Sequence, residues 1–359
     1  MGARNHGFGS GVYRRMAGKR RAPAKRLRRV GLALALASLG GVAFEEIGRY
    51  RDRHRHEQIG TFVDVGGRTL NISCLGSGSP TVVFDTYGHQ SGYSWITVQN
   101  EAAKYTQACW YDRAGYGWSE LGASRRTSQD VASDLRTLLK QAGIPFPIVL
   151  VGAGDAASHM RVYYGKYPTE VAGIVLLDAN DVDDPNLETP DSEKGGFQRY
   201  FGTWTSGPRK TACAMRPLLG RFGLIRFASV FERPRITNSY GLTTTQQGEL
   251  DDLSDNATTQ QATEACAREE SMQQARAAGG LGSVPVIVVV SNTGRPRPHE
   301  ATEEAWEQNR IETVPKALAS LSTNGRVVFI SGGLTPDAIV RSIIDVLRTD
   351  HGRAADHRG

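Results

Sequence analysis

The sequence predicts an α/β protein: a mainly parallel sheet with helices on both faces and a helical insertion late in the chain. Three observations carry this. Short runs rich in β-branched residues, such as Thr81–Asp85 and Ile148–Val151, alternate with stretches of helical periodicity. The alternation stops after Asp183, and residues 186–283 hold helical patterns and charge but few strand signals. It resumes at VPVIVVV (284–290) and RVVFI (326–330). Strands separated by helices pair in parallel, and such a sheet must be covered on both sides.

Each element has its own signal. Phe62–Val65 and Thr69–Cys74 flank the turn at Gly66 and Gly67 and read as a strand pair. The GSGS turn, Gly76–Ser79, precedes the strand Thr81–Asp85, and QACWY (Gln107–Tyr111) reads as the next strand. Between Thr127 and Gly143, Val131, Leu135, Leu138 and Leu139 recur at helical spacing, and Gly143 is a stop signal. Ile148–Val151 reads as a strand, Ala156–Tyr167 as a helix and Ile174–Leu177 as a strand. A last helix opens with Thr335 as cap and Pro336 at its first position and runs to about Arg348. The sequence shows no internal repeat and no nucleotide-binding glycine pattern.

The net charge of +6 divides unevenly along the 359 residues. Residues 1–30 hold ten Lys or Arg and no acid, leaving 33 basic against 37 acidic residues in the remainder. A main domain of that sign is a poor partner for nucleic acid. The basic arm instead precedes VGLALALASLGGVAF, Val30–Phe44, fifteen residues without a charge. As a helix this spans roughly 22 Å, short of a hydrocarbon core of about 30 Å. It reads as a signal anchor, with a cleaved signal peptide and a soluble amphipathic arm as alternatives. With an anchor, the basic arm stays cytoplasmic and the main domain lies outside the cytoplasm. With a cleaved signal the domain is secreted.

The expected organisation is a basic arm (1–29), an anchor (30–47) and a charged linker (48–59). A core in two parts follows (60–185 and 284–350), split by a helical cap (186–283), with a tail at 351–359. Cys74, Cys109, Cys213 and Cys266 show no CxxC and no metal-ligand spacing. They read either as buried thiols or, in an oxidising compartment, as two disulfides. No cofactor or metal is expected.

The segment YDRAGYGWSE, Tyr111–Glu120, resembles the post-strand motif of the α/β-hydrolase superfamily. VDVGGRTLNISCLGSGSPTVVFD before it and GKYPTEVAGIVLLDA after it resemble a bacterial branch with an N-terminal membrane segment. The likeness is good over about 60–183 and looser over 284–350. It implies an eight-stranded, mostly parallel sheet with a cap over a pocket. The usual strand order of that superfamily also implies a Cys74–Cys109 bridge; separately, Cys213–Cys266 is expected as a second bridge inside the cap.

The resemblance further implies a nucleophile on a tight strand-to-helix turn, in a run like V-G-H-S-x-G-G. Laid on Val151–Ala157, that run puts Gly154 at the nucleophile, and glycine carries no attacking group. The general base would follow the last strand, where Gly333 stands and the loop is short. His351 lies roughly 20 Å further along a helix, out of reach. For the acid, Asp178 at the end of a strand is one candidate. The loop SNTGRPRPHEATEE offers Asn292, His299 and Glu300 as others.

Asp155, one residue past the elbow, reads as a first-turn carboxylate favoured by the helix dipole rather than as a nucleophile. Ser158 and His159 read as packing residues of the same helix. TYGHQSG (86–92) replaces the usual oxyanion loop and puts Tyr87, Gly88 and His89 at the pocket rim; Asp155 and His299 complete the pocket candidates. The expectation is a membrane-anchored protein of hydrolase fold without the Ser–His pair, binding an apolar small molecule or a protein partner. An active hydrolase built on a different constellation is the competing expectation.

Overall fold

A computed structural model of the chain describes residues 22–88, 90–122, 126–179, 215, 218–229, 240–254, 258–292 and 309–356. Helix α1 (Ala22–His54) leads into β1 (Thr61–Asp64), β2 (Thr69–Leu75) and β3 (Thr81–Asp85). Then come α2 (Ile96–Ala102), β4 (Ala108–Tyr111), α3 (Ser128–Gln141), β5 (Ile148–Ala153), α4 (Ala156–Lys166) and β6 (Val171–Leu177). Within residues 186–283, where a cap is expected and which are called the cap below, lie α5 (Leu224–Ser229), α6 (Thr244–Ser254) and α7 (Thr258–Ala277). Strand β7 (Val286–Asn292), α8 (Val314–Ser320), β8 (Gly325–Ser331) and α9 (Pro336–Asp356) close the chain.

The eight strands form one sheet in the order β1-β2-β4-β3-β5-β6-β7-β8. β2 is antiparallel to both of its neighbours, and every other pairing is parallel. Side chains alternate across it with period two. Val83, Leu150, Ile174 and Val286 face one core with Leu138 of α3, Met160 of α4 and Leu318 of α8. Val82, Phe84, Val149, Val151, Val175 and Val289 face the other with Val98 of α2 and Ile339 and Ile343 of α9. Both faces are covered, as the near-continuous apolar strands require.

The expected strands and helices are all present, with shifted ends. β6 starts three residues before Ile174, because Pro168–Glu170 forms a short 3₁₀ turn that releases the chain at Val171. Helix α9 runs on to Asp356, so residues 351–356 are helix where a tail was expected. Helix α1 runs through the first half of the expected linker 48–59, because Arg49 pairs with Glu45 one turn earlier and Arg226 of the cap with Asp52. The end of α3 follows expectation: Gly143 takes φ +69° just past the cap. Its start carries a capping box between Thr127 and Asp130.

Cys74 and Cys109 face each other in the β2–β4 register and are bridged, with Cα atoms 4.1 Å apart. Cys266 is also disulfide-bonded; Cys213, its expected partner, lies outside the described residues. Peptide mapping without reduction is expected to return two linked pairs, 74–109 and 213–266. Recovery of alkylated Cys213 would show the second assignment to be wrong.

Candidate functional site

The sequence YDRAGYGWSE works as a frame. Asp112 is buried and accepts four hydrogen bonds, from Ser91 Oγ (2.6 Å), Gly92 N–H (2.7 Å), Asn71 Nδ2 (3.2 Å) and Trp118 N–H (3.2 Å). Burial pushes its carboxyl above the usual range despite these donors. Gly117, at φ +49°, leaves room for the Asp112 carboxylate, where a Cβ would collide. Ser119 Oγ donates to the Asp112 carbonyl at 2.7 Å, and Glu120 accepts from Thr69 N–H at 2.7 Å. The loop is thereby fastened to β2 and to the segment after β3.

Arg113, next in the motif, is buried and serves the end of β3. Its Nη1 donates to Asp85 Oδ1 (2.8 Å) and to the Thr86 carbonyl (2.6 Å), and its Nη2 to the Tyr87 carbonyl (3.2 Å). His159 Nδ1 lies 3.0 Å from the other Asp85 oxygen. Burial alone would raise the Asp85 carboxyl; Arg113 and the His159 hydrogen bond outweigh it and hold that carboxyl below its ordinary value. Tyr116 Oη lies within hydrogen-bond reach of both the Gly88 carbonyl and Glu264 Oε2, 2.8 Å away on α7, and shares its single proton between them. Glu264 also lies 3.6 Å from Arg113.

These groups hold the loop after β3 against the β5–α4 turn. Gly154 occupies that turn at φ +59°, a left-handed conformation suited to glycine. Its N–H donates to the Leu177 carbonyl at 3.0 Å, tying the turn to β6. A Cβ built on residue 154 would land in the Tyr87 ring, against Cδ1 and Cε1. Beside it, Gly88 N–H donates to Asp155 Oδ1 at 2.9 Å. Asp155 therefore spends its carboxylate on the loop and makes no side-chain cap of α4. Ser158 is buried on α4, in keeping with a packing role.

Asp178 lies just past β6 at φ +42° and accepts from both N–H (2.8 Å) and Oγ of Ser291 on β7. Tyr240 stacks on Trp95, with ring centroids 4.5 Å apart. Burial first, and then Tyr87 and Asp178, raise its phenol well above the ordinary value. Gly333 follows β8, exposed, and a Cβ there meets nothing within 4 Å.

The structure thus brings together Tyr87, Gly88, Gly154 and Asp155. His89, His299, Glu300 and residues 180–214 lie outside the described residues. Asn292 ends β7, and His351 lies on α9. A cleft of about 470 Å³ opens elsewhere, between His56, Glu57, Ile59, Tyr93, Trp118 and Glu249. Of the expected pocket residues that are described, Tyr87, Gly88 and Asp155, none lines it. Among the described residues no group of three or more His, Cys, Asp or Glu is placed to hold a metal.

Sequence reasoning missed Asp85, Arg113, Tyr116 and Glu264 as site builders. The first three sit in or beside quoted motifs, and an apolar strand ending in aspartate is a readable signal. Glu264 had none: TTQQATEACAREESMQQARA reads as a solvent-exposed helix.

No family model matches the sequence. The uncharacterized protein YbdG of Bacillus subtilis is 31% identical over 127 residues, 33% of this chain and 37% of YbdG. An uncharacterized vacuolar membrane protein of Saccharomyces cerevisiae is 31% identical over 104 residues, 28% of this chain and 16% of that protein. The chain therefore spans well under two thirds of these relatives. Among solved structures, Cfl2 from Burkholderia cenocepacia aligns with TM-score 0.57 and 21% identity, covering 79% of this chain and 94% of Cfl2. A thermophilic esterase from Thermogutta terrifontis aligns with TM-score 0.51 and 18% identity over 81% of this chain and 98% of the esterase. The epoxide hydrolase CorEH aligns with TM-score 0.55 and 16% identity over 82% and 98%.

Strand order, covered faces and these likenesses define the class: the chain has the α/β-hydrolase fold. It carries in addition one N-terminal helix, Lys25–Arg55, long and apolar enough to cross a membrane.

Proposed function

We propose that this is a membrane-anchored protein of hydrolase fold that binds a ligand or partner without hydrolysing it. One observation carries the reading: the Tyr87 ring fills the space that a nucleophile on residue 154 would need. Two others support it. Asp155 occupies the Gly88 N–H, a donor an oxyanion would otherwise use. Gly333, where the resemblance puts the base, has no side chain at all. Loss of one triad member costs orders of magnitude in rate, and a second loss then adds little.

The ligand class proposed is an apolar small molecule under the cap or a protein partner, with no nucleic acid, cofactor or metal. The basic arm would be cytoplasmic and the domain from Ile59 onward extracytoplasmic; a reporter active only in the cytoplasm should stay silent when fused after Arg348.

The test uses the wild-type chain. Short-chain esters and a serine-reactive phosphonate are expected to give no turnover and no label above a buffer blank. A hydrolase with another constellation remains the second reading, favoured by the buried His159–Asp85 pair one turn beyond the elbow. Ester hydrolysis abolished by His159→Asn, or by changing His89, Asp155 or His299, would establish that reading instead.

A further inference from the structure

The last turns of α1 are not a bare membrane span. From Gly41 onward one helical face, Gly41, Glu45, Gly48 and Asp52, packs on the cap segment 218–229. A Cβ on Gly41 would strike the Phe222 carbonyl, and one on Gly223 would lie 2.8 Å from the Gly41 carbonyl. Glycines on both sides let the two backbones meet. Arg226 then latches the segments. Its Nε donates to Glu45 Oε2 at 3.0 Å and its Nη1 to Asp52 Oδ2 at 2.6 Å, with Glu45 only 1% exposed. Arg53 Nη2 donates to the Ser119 carbonyl at 3.2 Å and fixes the helix end to the core.

The depth of this contact is informative. Gly41 lies inside the uncharged run Val30–Phe44. At 1.5 Å per residue, the cap meets α1 roughly 5 Å before the apolar run ends. With α1 in a bilayer, segment 218–229 stands at the edge of the hydrocarbon. Apolar side chains flank the contact there. Phe44 and Ile47 of α1 are 44% and 58% exposed, and Leu218, Leu224 and Phe227 of the cap are 49%, 52% and 58% exposed. The segment LLGRFGLIRFAS carries two arginines and no acid. One arginine is the latch, and the other, Arg221, is exposed. Apolar groups at the level of the acyl chains beside exposed basic charge are the make-up of an interfacial element.

We propose that cap segment 218–229 is a lipid-contacting element, seated at the boundary of headgroups and acyl chains beside α1, and that Arg226 holds it there. The partner is a bilayer surface rather than a second protein, because the segment packs on α1 at Gly41, inside the uncharged run, and its apolar side chains are exposed at that depth. The inference rests on α1 lying in the membrane, so the test reports on both.

The full chain is placed in anionic phospholipid vesicles containing nitroxide-labelled lipids. A single environment-sensitive fluorophore is attached at Leu34→Cys, Leu224→Cys or Tyr105→Cys. Tyr105 is 60% exposed in the turn after α2 and serves as the remote apolar control. The Leu34 probe should be quenched by deep labels. The Leu224 probe should be quenched by shallow labels at least about threefold more than the Tyr105 probe, the contrast expected between an interfacial and an aqueous site. Arg226→Ala should lower quenching at Leu224 and leave Leu34 unchanged. Leu224 quenched no more than Tyr105, with Leu34 quenched, overturns the lipid contact alone. Loss of quenching at Leu34 overturns the membrane reading of α1 and this inference with it. Shielding of Leu224 only in cross-linkable dimers would assign the face to a second copy, and also overturns the proposal.

Discussion

Arg113→Met is expected to destabilise the chain by about 3–5 kcal/mol, the usual cost of leaving one charge of a buried pair without its partner. Asp85 and Arg113 are both almost wholly buried, and the guanidinium also satisfies the Thr86 and Tyr87 carbonyls. Arg113→Lys keeps the charge but loses the fork, so it should fall between the two. The pH dependence gives a sharper readout. In the wild type the Asp85 carboxyl is held below its ordinary value. Its stabilisation is then fully present above the unfolded-state pKa of about 4 and lost as pH falls through the folded one. Without Arg113, burial dominates and the folded carboxyl moves above the unfolded one, so the variant gains relative stability on acidification. The gap between the proteins should narrow from pH 7 to pH 4, measured by denaturant titration in matched detergent. A loss below about 1 kcal/mol, or one independent of pH, would mean that this ion pair does not hold the site.

The architecture was legible because it is written in local patterns. TVVFD and VPVIVVV are β-branched runs that bury on both faces, RVVFI forms the half-exposed edge strand, and Leu135, Leu138 and Leu139 mark one side of α3. The Cys74–Cys109 bridge followed from strand order, which the resemblance supplied and the β2–β4 register bears out. What stayed hidden depends on contacts distant in sequence. Asp155 reads as a helix-dipole carboxylate until Gly88, 67 positions away, is seen donating to it. Glu264 is one of several acids on a polar helix until the fold sets it beside Arg113 and Tyr116. The continuity of α1 to His54 escaped for the same reason. GRYRDRHRHEQI has no apolar period because its helical face is matched by the cap and by ion pairs rather than by a greasy core.

Gly154→Ser is expected to cost about 2–5 kcal/mol without creating an esterase. A side chain in the left-handed region at φ +59° costs about 1–2 kcal/mol, and forcing it into an occupied space adds about 1–3. Tyr87 is the occupant, so Tyr87→Ala should rescue much of the loss. The double variant should show a favourable coupling of at least about 1 kcal/mol between the two positions. Gly333→Ser, placed in open space, should stay within about 0.5 kcal/mol of the parent. Thermal melts of the parent and the four variants decide the matter, and a harmless Gly154→Ser would mean that the ring readily swings away. The contrast between the two glycines bears on the proposed function. At residue 333 a Cβ meets open space, so a side chain starts there without a clash. At residue 154 the space has been taken by Tyr87, whose carbonyl Arg113 holds from behind. Placing a nucleophile there requires emptying the site before filling it. For that reason Gly154→Ser with Gly333→His should remain inactive toward short-chain esters, and adding Tyr87→Ala is the change from which a first trace of turnover is expected.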